Sequence, residues 1–223
     1  MLEIEKIFYS LEKPSIKYNN YFSIYEKHFS KFRNKSPSIL EIGVSTGGSI
    51  EMWQKYFGNG AKIVGVDVDS KCASFKYDGD VEIVIGDQSS IEFWKNFKLK
   101  YKNFDIIIDD GSHIMSHLIL TINELYPILN EGGVYMIEDT HTSYASYHYQ
   151  GNLFQSNTII EYCKNMVDLL NVNHIIENDK SKLNAKIDID LFKHLSCVSY
   201  YDSVVVLEKT TLPPFIACFS DKK

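Results

Sequence analysis

The chain has 223 residues, a formal charge of −6 and 44% hydrophobic residues, a length that supports one domain with a full core. Affinity for nucleic acid rests largely on neutralising phosphates, so an acidic chain without a lysine- or arginine-rich stripe argues against that partner. Small neutral or metal-chelated ligands fit it better.

The first residues, MLEIEKIFYSLEKPS, have neither the basic nor the apolar region of a secretory signal. No apolar run reaches the length of a membrane span. Residues 1–35 form a helical extension, with Tyr21, Ile24, Tyr25, His28, Phe29 and Phe32 spaced at three and four. Ser38 to Val44 is the first core strand. It runs through a glycine-containing turn, Ser45 to Ser49, into the helix IEMWQKYF. Strand, glycine turn and helix open a nucleotide-binding unit. The spacing Glu41-x-Gly43-x-Ser45-x-Gly47-Gly48 lacks GxGxxG, and Glu41 would repel a pyrophosphate. It suits a cofactor with a positively charged amino acid end.

Lys62 to Val68 is the second strand, and Asp67 at its end is positioned to accept hydrogen bonds from ribose hydroxyls. Val81 to Ile85 is the third, followed by Asp87 and Gln88, side chains suited to an adenine edge. Residues 89–100 form a helix. The apolar β-branched run Ile106-Ile107-Ile108 is a strand covered on both faces, ending at Asp109-Asp110-Gly111. After a helical crossover closed by Gly132-Gly133, Val134 to Ile137 is a second such strand, ending at Glu138-Asp139. Two parallel strands thus bring two carboxylate pairs to one sheet edge, the edge where open α/β sheets bind ligands. Such a set requires a cation or a hydrogen-bond network, and oxygen ligands favour Mg²⁺, Mn²⁺ or Ca²⁺ over zinc. Adjacent strand residues face opposite ways, so one acid of the first pair should face a cofactor and the other a metal. His113 and His141 stand beside them.

Residues 143–155, aromatic and glycine-punctuated, form a loop over the site, and Tyr144, Tyr147 and Tyr149 are candidate walls for a ring-shaped acceptor. Asn157 to Leu170 is a core-covering helix. The charged segment 171–193 is a candidate insert or lid. Ser196 to Tyr201 and Ser203 to Lys209 are two closing strands. Cys72, Cys163, Cys197 and Cys218 show no CxxC spacing and read as small buried hydrophobes of a reducing cytoplasm.

The order ILEIGV-STGGS, GVDVD, GDQSS, FDIIIDDGSH, GGVYMIEDTHTSY and YYDSVVVLEK resembles the metal-dependent sugar O-methyltransferases, among them the macrocin and mycinamicin enzymes. The likeness runs from about Tyr25 to Lys209, and DDGSH and EDTHTSY are its most specific parts. It implies an α/β Rossmann-like class I methyltransferase, one domain over 1–223, with a mostly parallel seven-stranded sheet and an antiparallel closing strand. The implied cofactors are S-adenosyl-L-methionine and Mg²⁺ or Mn²⁺. The resemblance assigns Glu41, Gly43, Ser45, Ser49, Asp67, Asp87, Gln88 and Asp109 to the cofactor. It assigns Asp110, Glu138 and Asp139 to the metal, and His113, acting with Asp110, to catalysis. Ser45 departs from the glycine common at that place.

The implied activity is methyl transfer to a sugar hydroxyl, on a small-molecule or nucleotide-linked acceptor, in a cytoplasmic enzyme that forms a homo-oligomer in many family members. Abundant lysine, asparagine, isoleucine and tyrosine point to an AT-rich bacterial genome, which favours surface-polysaccharide or capsule biosynthesis over a macrolide. The rival readings are methyl transfer to a phosphorylated metabolite or diol, and a non-catalytic cofactor-binding module. The second predicts decay of the acid set, which is intact.

Overall fold

In the computed structural model, which describes residues 1–220, seven strands form one sheet in the order β3-β2-β1-β4-β5-β7-β6. They are β1 Ser38–Ile42, β2 Lys62–Asp67, β3 Asp80–Ile85, β4 Phe104–Asp109, β5 Leu129–Ile137, β6 Leu195–Tyr201 and β7 Val204–Lys209. The first five pair in parallel, and β7 runs antiparallel between β5 and β6. The chain builds outward from β1 to β3, then returns to the other side of β1 with β4 and β5. The crevice where that order reverses lies between the ends of β1 and β4, the ligand-binding place of open α/β sheets.

The central strands are apolar on both faces because helices cover both. Leu40, Ile42, Ile107, Tyr135 and Ile137 point into one core. Against it lie α4 Ile91–Lys100, α5 Met115–Leu125, α6 Ile159–Lys164, α7 Met166–Leu170 and α8 Glu177–Asn184. Ile39, Ile106, Ile108, Val134 and Met136 point into the other, with α1 Glu3–Phe8, α2 Tyr21–Phe29 and α3 Gly48–Phe57. The alternation follows from the period of two along a strand.

Beyond shifts of one or two residues at strand ends, three elements differ from the sequence reading. The N-terminal extension is two helices, and residues 9–20 between them form a strap outside regular structure. Pro14 has no N–H to give a helix. The N–H groups of Glu12 and Lys13 instead donate to the Glu51 carboxylate at 3.0 and 2.9 Å. Second, β5 begins at Leu129, ahead of the glycine pair. Phe104 faces Leu129 but Ile106 faces Val134, so residues 130–133 bulge out of register. Third, the helix expected over Asn157 to Leu170 is split into α6 and α7 at Asn165.

The segment 171–193 buries Leu183, Ile187 and Phe192 in the same core as Tyr126 and Leu195. All four cysteines are free; Cys72 and Cys163 are buried as expected, whereas Cys197 is half-buried and Cys218 exposed. Among the described residues no helix is long and apolar enough to cross a membrane.

Candidate active site

The crevice at the β1–β4 reversal opens into a pocket of about 310 Å³. Its walls include Gly43, Ser45, Asp67, Asp87, Gln88 and Asp110, six of the expected residues, together with Gly111, Ser112 and His117. A larger open groove of about 770 Å³, between the strap, α3 and residues 76–80, contains none of the expected residues.

Gly43 permits the pocket. Its φ is +95°, and a Cβ there would collide with the Asp110 carbonyl. Ser45, at φ +51°, adopts the left-handed turn in place of a glycine. The Asp67 carboxylate organises that turn, accepting from the Val44 and Ser45 N–H groups with one oxygen and from Asp69 N–H with the other, each at 2.8 Å. Asp87 accepts from the Ser89 N–H and hydroxyl, which hold its pKa below the ordinary carboxylate value.

Three residues expected at the cofactor do not line the pocket. Glu41 is fully buried and accepts from Ser49 Oγ and Trp53 Nε1, both at 2.9 Å, so Glu41 and Ser49 anchor α3 to β1. Burial pushes the Glu41 carboxyl up to about 7. Asp109 is also fully buried and accepts from Gln88 Nε2 at 2.7 Å and Tyr135 Oη at 3.4 Å, with burial pushing it to about 7. Gln88 Oε1 in turn accepts from Ser112 N–H, so its amide is used in holding the β4 turn. The two acids of this pair do differ in surroundings: Asp110 lines the pocket, whereas Asp109 is buried behind its wall.

On the other side of Gly111 the acids gather. Asp110 Oδ1 lies 3.8 Å, and Asp139 Oδ2 3.6 Å, from His113 Nε2. One donor atom from each of Asp110, His113 and Asp139 lies within 4.8 Å of the others, a group able to hold a metal ion. His113 and Asp139 both have left-handed backbone, at φ +55° and +52°, just past the ends of two neighbouring strands. Asp139 Oδ1 accepts from Tyr21 Oη at 2.5 Å. His141 bonds Ser203 through Nδ1 and stands edge-on to Tyr18, outside the converging group.

Glu138, expected as a third metal ligand, is instead occupied by protein donors. Its carboxylate accepts from Tyr25 Oη at 2.7 Å and from the Lys17 ammonium at 2.8 Å. The same ammonium bonds Asp110 Oδ2 at 2.5 Å. Lys17 comes from the strap, and its side chain is only 2% exposed. Burial alone would lower its pKa, but Asp110 and Glu138 outweigh that effect and hold it well above the ordinary lysine value. Burial pushes the Glu138 carboxyl up, with Lys17 pulling it back. Lys17 went unread as a site residue, and the carboxylate partners of Tyr21 and Tyr25 could not be read from the sequence. Tyr21 and Tyr25 lay in the apolar stripe of α2, and nothing local marked Lys17.

No protein-family model matches the chain. It is 35% identical over 157 residues to the 8-demethyl-8-alpha-L-rhamnosyl tetracenomycin-C 2'-O-methyltransferase of Streptomyces olivaceus, covering 67% of this chain and 41% of that protein. It is 39% identical over 127 residues to the mycinamicin VI 2''-O-methyltransferase of Micromonospora griseorubida, covering 54% and 31% respectively. Demethylmacrocin O-methyltransferase of Streptomyces fradiae is 37% identical over 127 residues, again 54% of this chain and 31% of that one. The chain therefore spans less than half the length of these curated relatives. Among solved structures, the MycE methyltransferase of the mycinamycin biosynthetic pathway, in complex with Mg and SAH, superposes with a TM-score of 0.78 at 27% identity. That match covers 96% of this chain and 56% of that one. The same enzyme with Mg, SAH and mycinamycin VI gives 0.75 at 26% identity, over the same shares of the two chains.

Proposed function

From the premise that this chain belongs to the sugar O-methyltransferase family that includes the macrocin and mycinamicin enzymes, we propose that it methylates a sugar hydroxyl, using S-adenosylmethionine and a divalent cation. The observation that carries the reading is the convergence of Asp110, His113 and Asp139 beside a glycine-walled pocket at the sheet's reversal point.

The pocket would take the nucleoside of the cofactor. Asp67, which fixes the turn, would accept from the ribose hydroxyls, and Asp87 would stand toward the adenine. Gly43, with no side chain, lets the Asp110 carbonyl close up against the end of β1 as part of the pocket wall. Mg²⁺ typically uses one or two carboxylates and keeps water or substrate oxygens as its other ligands. Asp110 and Asp139, each with one oxygen turned toward His113, fit that demand. When bound, the cation supplies Lewis acidity and a template for two neighbouring hydroxyls. His113 Nε2 is placed to take the proton of an acceptor hydroxyl, a general-base contribution typically worth ~10²–10⁴-fold. S-adenosylmethionine, when bound, would give its methyl group to that oxygen and leave as S-adenosylhomocysteine. The pocket walls would hold the cofactor in place for in-line transfer.

The names of the relatives favour a glycosylated natural product as acceptor, with a polysaccharide precursor or nucleotide sugar as the alternative carrier. Free cysteines accord with a reducing cytoplasm. The test is methyl transfer from labelled cofactor to a panel of glycosides, nucleotide sugars and polysaccharide precursors, with and without EDTA. Turnover is expected on a sugar-bearing member, lost in EDTA and restored by Mg²⁺. Asp110→Ala and His113→Ala should abolish it while cofactor still binds. Full activity in EDTA would overturn the metal assignment, and transfer only to non-sugar diols the acceptor assignment.

A further inference from the structure

We infer that Lys17 is a positioning residue of this site, a chain-borne cation that withdraws Glu138 from metal coordination and leaves the divalent ion to Asp110 and Asp139. The inference rests on the metal reading above. Three carboxylates, from Asp110, Glu138 and Asp139, meet where β4 and β5 end. Lys17 holds Asp110 Oδ2 and one oxygen of Glu138, Tyr25 holds the other oxygen of Glu138, and Tyr21 holds Asp139 Oδ1. The two oxygens left over are Asp110 Oδ1 and Asp139 Oδ2, and both face His113 Nε2. A divalent ion binding between Asp110 and Glu138 would have to displace an ammonium already paired with both. Binding at the outer oxygens requires no such displacement, and Asp110 then bridges the two cations.

The strap is built to keep Lys17 there. Glu51 accepts from the N–H groups of Glu12 and Lys13, and Thr46 Oγ1 donates to the Pro14 carbonyl at 2.6 Å. The strap passes so close to α3 that a Cβ on Gly48 would strike the Pro14 and Lys13 carbonyls. The next strap residue, Tyr18, stands edge-on to Tyr21 and His141, so one segment sets both the charge under the metal site and part of its rim. By fixing one oxygen of Asp110, Lys17 determines which oxygen is offered to the metal and to His113.

The test is Mn²⁺ binding to the full chain with S-adenosylhomocysteine bound, followed by calorimetry and by the spectrum of the bound ion. Removing a group that orients a metal ligand costs ~10–100-fold in affinity, and loss of a ligand should cost at least as much. Glu138→Gln is therefore expected to leave Mn²⁺ affinity within about threefold of wild type, whereas Asp139→Asn weakens it by about tenfold or more. Lys17→Met removes a competing positive charge and frees Glu138 to join the ion, which outweighs the lost hold on Asp110 Oδ2, so affinity rises and the spectrum changes. Adding Glu138→Gln to Lys17→Met removes that gain, and Lys17→Arg retains the wild-type behaviour. Unchanged S-adenosylhomocysteine affinity checks that each variant folds. The single-variant comparison stands even where Lys17→Met folds poorly. Glu138→Gln weakening wild-type Mn²⁺ binding as strongly as Asp139→Asn would overturn the inference alone. No Mn²⁺ binding in any variant would overturn the metal reading and the inference together.

Discussion

At the scale of single residues, Asp67 carries more than the ribose contact proposed for it. Its three accepted N–H bonds come from Val44 and Ser45, at the end of β1, and from Asp69 beyond β2. The carboxylate therefore shapes the floor of the pocket as well as facing into it. Asp67→Asn keeps the size but leaves one acceptor oxygen and turns an NH₂ group against an N–H. Hydrogen bonds to a charged group are worth ~1.5–3 kcal/mol each, so S-adenosylhomocysteine affinity should fall by roughly 10–100-fold. Calorimetry at neutral pH would read this, and an affinity within twofold of wild type would remove Asp67 from the cofactor site. Strand-end acids such as this one were legible because their position follows from the period of two and from where an apolar run stops. Which of them are spent inside the protein was not legible. Glu41 and Asp109 are committed to Trp53, Ser49, Gln88 and Tyr135, partners fixed only by folding.

At the scale of elements, α2 does two jobs. One end supplies Tyr21 and Tyr25 to the acids, and the other packs onto the closing hairpin through His28. His28 is buried, with Nδ1 3.0 Å from Glu208 Oε1 and Nε2 2.9 Å from Tyr201 Oη. Burial lowers its pKa below 6.5, with Glu208 opposing and Lys27 and Lys31 adding to the fall. The folded state thus takes up a proton less readily than the unfolded chain. The stability this contributes is complete above the unfolded value near 6.5 and is lost as pH falls through the lower folded value. Tm should therefore drop more between pH 7 and pH 5 in wild type than in His28→Gln. A constant Tm difference across that range would rule out the linkage. The α2 helix itself was legible from apolar spacing at three and four. The strap before it was not, because Lys17 acquires its meaning through contacts 93 and 121 residues away.

At the scale of the whole molecule, the sheet separates two apolar cores, and the groups of the candidate site sit at only one of its edges. The parallel order was legible from apolar runs alternating with helices, since such runs survive only where both faces are covered. The segment 171–193 was not, because its apolar residues are interleaved with charged ones at no steady helical or strand period, which leaves unread which face it covers. Its Phe192 packs on Tyr126, with ring centroids 4.8 Å apart, and Lys209 bonds the carbonyls of Tyr126 and Leu129 nearby. Those residues lie at the entry of β5, whereas Glu138 and Asp139 follow its exit. A core role and a lid role now predict different things. If the segment is core, Phe192→Ala should cost ~3–5 kcal/mol in stability and leave KM and kcat of the folded fraction close to wild type. If it closes over the acceptor, the variant should keep its denaturation midpoint and lose activity through KM. Denaturant unfolding together with steady-state kinetics on the same preparation separates the two, and the burial of Leu183, Ile187 and Phe192 supports the first.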